Sequence, residues 1–137
     1  MKDGEDLLDD MKQRPPLIKS FKYAFEGIFN CIRAERNIKI HITAAMLVTI
    51  AGAVLHISKT EWLICLLLFG LIIGLELMNT AVEAVVDLAA DGKWYSLAKK
   101  AKDTAAGSVL IASIFAAIIG LIIFLPKVIS FVRVLLI

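Results

Sequence analysis

The sequence predicts an all-α integral membrane protein: one amphipathic surface helix followed by three membrane-spanning helices. Three observations predict it. The 137 residues are 59% hydrophobic with a mean hydropathy of +0.81, above what a water-soluble domain carries. The apolar residues gather into three long runs. The basic residues alternate in density between the segments that join those runs. The length suits a single domain. The net charge of +2, from 15 Lys and Arg against 13 Asp and Glu, is too balanced to suggest nucleic-acid binding.

The first element is an acidic stretch, MKDGEDLLDD, ending at Arg14-Pro15-Pro16. It lacks the basic start and apolar core of a signal peptide, and residues 1–16 read as a mobile soluble arm ahead of one domain over 17–137. Next comes a surface helix over about 17–35. Ile18, Phe21, Phe25, Ile28, Phe29 and Ile32 recur at steps of three and four, and Lys19, Lys22, Glu26 and Arg33 lie off that stripe. This pattern suits a helix lying in the membrane interface.

The spans follow at about 38–57, 61–90 and 103–126. The first run, Ile40 to Ile57, holds only His41 and His56 as ionisable members, both read as polar helix-end residues. The second is uncharged from Trp62 to Leu75 and then bears acids up to Ala90. The third, Thr104 to Pro126, has no charge at all. A spanning helix needs about 20 mostly apolar residues. Gly70 and Gly74 form a GxxxG pattern, read as a helix contact. Cys31 and Cys65 have no metal-ligand spacing and read as small apolar fillers.

Eight basic residues occur up to Lys39, Lys59 stands alone in the first loop, and Lys93, Lys99, Lys100 and Lys102 crowd the second. The positive-inside rule then places the N-terminus and second loop in the cytoplasm and the C-terminus outside. Trp62 falls where an outer interfacial anchor belongs, and Trp94-Tyr95 where an inner one does.

Chemistry concentrates in the second span. At about 100° per residue, Glu76, Asn79, Glu83 and Asp87 share an arc of roughly 80°. A charge near the bilayer centre costs at least about 2.5–3.5 kcal/mol on insertion scales, which marks such groups as functional. Salt bridging is the alternative, and it would need several basic partners inside the spans. Glu76 lies 14 residues, about 21 Å, from Trp62, on the inner side of the midplane. Glu83 and Asp87 lie nearer the cytoplasm. One face therefore runs from lipid to water, which suits a reaction between a lipid headgroup and a soluble charged substrate. Lys102 and Asp103 add a cation and a carboxylate at the start of the third span, on the side of Glu83, and Lys102 can meet phosphate charge. Glu35 adds a carboxylate just before the first span. A transporter subunit would also use intramembrane carboxylates, but the Trp62–Leu75 half carries none. No P-loop motif is present.

The run Glu76-Leu-Met-Asn79-Thr80-Ala-Val-Glu83-Ala-Val-Val-Asp87, followed by Ala101-Lys102-Asp103-Thr-Ala-Ala-Gly107, resembles the signature of the small integral-membrane bacterial diacylglycerol kinase/undecaprenol kinase family. The resemblance covers about residues 17–125. It implies a homotrimer with shared active sites that uses ATP and Mg2+ to phosphorylate a lipid alcohol at the bacterial cell membrane. Carried over by position, it implies that Glu76 is the general base on the lipid hydroxyl. Glu35 and Glu83 would hold magnesium and, through it, ATP. Tyr23, Asn79, Lys102 and Asp103 would line the nucleotide site, with Asp87 in support. The pairing of Asn79-Thr80-Ala81 with Asp103-Thr104-Ala105-Ala106-Gly107 resembles the undecaprenol kinase branch of Gram-positive bacteria, with diacylglycerol as the alternative substrate.

Overall fold

The computed structural model describes residues 16–136, so the acidic arm lies, apart from Pro16, outside the described residues. Four helices follow in order: α1 (Leu17–Ala34), α2 (Arg36–Val54), α3 (Lys59–Ala90) and α4 (Ser96–Leu135). No strand occurs among the described residues. The chain from Glu35 onward forms one compact unit, and α1 belongs to another. Within α1, Lys22 and Glu26 pair at 3.8 Å and the Arg33 guanidinium sits 5.0 Å from the Phe29 ring centre.

Among the described residues three helices are long and apolar enough to cross a membrane: Arg36–Val54, Lys59–Ala90 and Ser96–Val134. At 1.5 Å per residue, the 19 residues of α2 span about 28 Å, close to a hydrocarbon core of about 30 Å. Helices α3 and α4, with 32 and 40 residues, run well beyond that length.

Boundaries of the first and third spans depart from the sequence expectation. The third span begins at Ser96 rather than 103, so Lys99, Lys100, Lys102 and Asp103 are helical rather than loop residues. Ala and Lys are good helix formers, and Lys99 pairs with Asp103 one turn on, so this segment is helical without an apolar stripe. The same helix continues through Pro126 to Leu135. Proline removes one backbone donor, yet in an apolar setting the remaining backbone groups gain by staying paired within the helix. The first span is also shorter than 38–57, running from Arg36 to Val54.

Local chemistry sets the turns. Ser58 caps α3: its hydroxyl accepts from the Glu61 amide at 3.3 Å, and its own amide donates to Glu61 Oε2 at 2.6 Å. This reciprocal pair satisfies two donors that a helix start otherwise leaves free. At the other end Asp91 takes the left-handed conformation (φ 48°) and Gly92 follows at φ 72°. Aspartate tolerates this region better than most residues. These two residues reverse the chain from α3 into α4.

Two ion pairs then fix how α3 and α4 lie together. Lys127 Nζ meets Glu61 Oε2 at 3.2 Å near one end. Lys102 Nζ donates to both oxygens of Asp87, at 2.9 and 3.1 Å, near the other. The pairs join residue 61 to 127 and 87 to 102, so the helices run antiparallel in nearly constant register.

The core sits where the α2–α3 turn meets α4. Ile57, Cys65 and Ile123 are buried there, with Val48, Trp62, Phe69, Ile119 and Phe124 packed around them. Trp62, which the sequence places as an outer interfacial anchor, is half-buried in this packing. Gly52 makes room for it. A Cβ added at Gly52 would come within 2.9 Å of Ile57 Cδ1 and 3.0 Å of two Trp62 ring atoms. Between lipid-facing helices close packing, rather than water exclusion, supplies association, so this fit matters. Gly52→Val is expected to lower stability by about 1–3 kcal/mol through overpacking, read as a lower unfolding midpoint in detergent. The GxxxG contact expected at Gly70 and Gly74 is not made within one chain, because a Cβ at either would meet nothing within 4 Å. Both point about 100–180° away around the helix from Cys65 and Phe69, the side chains of the packing stripe.

Candidate active site

The acid-bearing face of α3 grades from buried to exposed along its length. Glu76 is 2% exposed and Asn79 is 6% exposed. Glu83 is half-buried and Asp87 is exposed. Helical spacing puts all four on one side, and the structure adds how they are held.

Asn79 Nδ2 donates to Glu83 Oε1 at 3.0 Å. This bond fixes which way the amide points, and its carbonyl Oδ1 is left buried with no hydrogen-bond partner. A buried acceptor without a donor is costly unless something else meets it. Thr80, on the same turn, donates its hydroxyl to the Glu76 backbone carbonyl at 3.1 Å. A buried carboxylate, an orphaned amide oxygen and a half-buried carboxylate therefore follow one another over two helical turns.

At the far end of this face, Asp87 and Lys102 close a bridge between α3 and α4. The sequence reading placed Asp87 in a supporting role and Lys102 beside phosphate without joining them. Their separation of 15 residues carries no local signal. Only the reversal at Asp91-Gly92 brings them together. The pair is open to solvent, so it orients Lys102 more than it stabilises the fold. Asp103 pairs with Lys99 on the same helix. Val86, Asp87, Lys93, Trp94, Lys102 and Asp103 are among the residues lining a cavity of about 320 Å3 at this end. The sequence reading took Trp94 and Tyr95 only as interfacial anchors. Both are exposed, and both line the same cavity.

Glu35 directly precedes α2 and is half-buried. Tyr23 lies in α1 and is 56% exposed. Among the described residues no three His, Cys, Asp or Glu side chains gather into a metal cage. The donor set nevertheless fits magnesium. This ion takes oxygen ligands and commonly uses one or two carboxylates plus substrate phosphates. Glu83 and the unpartnered Asn79 Oδ1 are hard oxygen donors one turn apart.

A second cavity, of about 290 Å3, lies among α2, α3 and α4 and is almost wholly apolar. His41, expected to be only a helix-end residue, lines it, as do Phe69, Ile72, Ile73 and Ser113.

Comparison with known proteins completes the picture. The sequence pattern of the family described as prokaryotic diacylglycerol kinase matches residues 22–124. The undecaprenol kinase of Bacillus subtilis (strain 168) is 46% identical over 122 residues, covering 89% of this chain and 98% of that protein. The diacylglycerol kinase of Synechocystis sp. is 40% identical over 116 residues, covering 85% of this chain and 66% of that protein. The diacylglycerol kinase of Helicobacter pylori (strain J99) is 34% identical over 115 residues, covering 77% and 87%. The matched span takes in α2 and α3 whole, with the acid-bearing face, and most of α4. The chain belongs to the prokaryotic diacylglycerol kinase family and is a multi-pass membrane lipid kinase.

Proposed function

We propose that the chain phosphorylates undecaprenol, using ATP and Mg2+, at the cytoplasmic face of a bacterial cell membrane. The observation that carries this reading is the buried Glu76 carboxylate, set on one helix face with the Asn79–Glu83 pair. The 46% identity to an undecaprenol kinase over nearly its whole length supports the choice of lipid. The basic residues around both ends of α1 and in the α3–α4 turn support an N-terminus in the cytoplasm and a C-terminus outside.

The roles follow from position. Glu76, inside the apolar segment, accepts the proton of the lipid hydroxyl. The hydroxyl oxygen forms a bond to the γ-phosphorus of ATP, the bond from that phosphorus to the β–γ bridging oxygen breaks, and ADP leaves. Glu83 and Glu35 hold magnesium, with Asn79 Oδ1 as a further oxygen donor. When bound, the ion neutralises triphosphate charge. Lys102, oriented by Asp87, meets phosphate charge. Asp103 and the Tyr23 ring are assigned to the nucleotide on the family motif alone. Phosphoryl transfer asks for positioning and charge stabilisation more than for covalent chemistry by the protein. Three helices are few for enclosing both a lipid and ATP, which supports a homotrimer with shared sites.

The test is transfer of label from γ-labelled ATP, with magnesium and purified protein in micelles, to undecaprenol and to a diacylglycerol in parallel. The expected kcat/KM is higher for undecaprenol by about tenfold or more. The reverse ranking makes diacylglycerol the substrate, and label in neither lipid overturns the reading. In the same assay Lys102→Ala is expected to raise the KM for ATP by about tenfold with little change in the KM for lipid. An unchanged KM for ATP leaves Lys102 a structural partner of Asp87 only.

A further inference from the structure

The cavity among α2, α3 and α4 lies on the same side of α3 as the acid-bearing face. Cys65, Phe69 and Ile72 line it, and all three point within about 40° of Glu76 around the helix axis. The face is thus one continuous stripe, apolar up to Ile73 and carboxylate-bearing from Glu76.

One polar atom, on a residue that lines this cavity, has no explanation in the fold. Ser113 Oγ is shielded from solvent and has no hydrogen-bond partner. Helical hydroxyls ordinarily satisfy themselves on a carbonyl one turn back. Thr43, Thr49, Thr80, Thr104, Ser108 and Ser130 all do so here. Ser113 does not, although it is in mid-helix with a carbonyl in the same position. The register fixed by the Glu61–Lys127 and Asp87–Lys102 pairs brings Ser113 to about the level of Glu76 on the facing helix. Ser113 therefore stands at the Glu76 end of the cavity.

We infer that Ser113 is a substrate-binding residue: its Oγ hydrogen-bonds the hydroxyl oxygen of the lipid alcohol while the cavity holds the adjoining hydrocarbon. This rests on the proposed lipid-alcohol kinase reading and adds a second contact to the reacting hydroxyl. Glu76 receives the proton, and Ser113 donates to a lone pair of the same oxygen and holds it in place. A hydroxyl held only by a carboxylate could swing about that contact. A donor from the opposite helix fixes its direction.

The test compares wild type with Ser113→Ala, which removes the hydroxyl, and Ser113→Thr, which keeps one. Unfolding midpoints are measured in micelles with and without undecaprenol, a diacylglycerol, and squalene, an isoprenoid hydrocarbon with no hydroxyl. The upward shift given by the lipid alcohols should be smaller in Ser113→Ala than in wild type and restored in Ser113→Thr. Squalene should act equally on all three. In the transfer assay, Ser113→Ala should lower kcat/KM for the lipid by about three- to tenfold, one neutral hydrogen bond, with the KM for ATP unchanged. Equal alcohol-induced shifts and equal lipid kcat/KM in wild type and Ser113→Ala overturn the assignment. A wild-type protein that labels neither alcohol overturns the kinase reading instead. The midpoint shifts then still decide whether Ser113 contacts a lipid hydroxyl.

Discussion

Glu83→Gln is expected to abolish phosphoryl transfer at ordinary magnesium while the protein still folds and assembles. The substitution keeps the size of the side chain and an oxygen that can still accept from Asn79 Nδ2, now 3.0 Å away. It removes the negative charge through which the metal would be held. Ion binding by one or two carboxylates plus phosphates leaves little reserve when one carboxylate is neutralised. The loss should appear as a large rise in the apparent constants for both magnesium and ATP, with partial recovery at high magnesium. The variant should run with wild type on size exclusion and unfold at a similar temperature. Wild-type activity at ordinary magnesium would remove Glu83 from the metal site.

Glu76→Gln is expected to have a comparable effect on rate by a different route. Glu76 is 2% exposed and stands seven residues before Glu83, which is two turns or about 10.5 Å along the axis. With nucleotide held around Glu83, Glu76 is the carboxylate of this face on the lipid side of the transferring phosphate. Loss of a positioned general base lowers rate by about 10²–10⁴-fold. A transition-state contact that is absent from the ground state lowers kcat without raising the KM for ATP. The competing expectation is that Glu76 is only a costly buried charge. Its neutralisation would then raise the unfolding midpoint and spare turnover.

Most of the architecture was legible because apolar runs of membrane length leave few alternatives. The four helices fall where the runs and the amphipathic stripe place them. The ends were harder, for specific reasons. The Leu97–Asp103 segment has no apolar periodicity, so it read as loop, whereas helix propensity and the Lys99–Asp103 pair extend α4 back to Ser96. The third span read as ending at Pro126 because the uncharged run stops there, before Lys127, whereas the helix continues through both to Leu135. The packing of Trp62 carried no sequence signal because its partner is an absence: a glycine at position 52 leaves room for the ring, and no local pattern links the two.

The acid face of α3 was legible in full, since helical spacing alone groups Glu76, Asn79, Glu83 and Asp87. What spacing could not give is the state of each group. The Asn79–Glu83 bond, with the amide oxygen it leaves free, depends on rotamers. The Asp87–Lys102 bridge depends on a chain reversal at a left-handed Asp91-Gly92. Ser113 sits in a run of uncharged residues where one hydroxyl carries no signal. It becomes conspicuous only when six other hydroxyls are found bonded to their own helices and this one is not.

The division of labour between the two glutamates is tested most directly by measuring nucleotide affinity and single-turnover transfer rate on the same preparations of wild type, Glu76→Gln and Glu83→Gln. In Glu76→Gln, ATP should bind within about twofold of wild type in the presence of magnesium while transfer slows by about 10²–10⁴-fold. In Glu83→Gln, magnesium-dependent ATP binding itself should be lost. Near-wild-type transfer by Glu76→Gln would contradict its role as the base, and loss of ATP binding in that variant would place Glu76 with the metal instead.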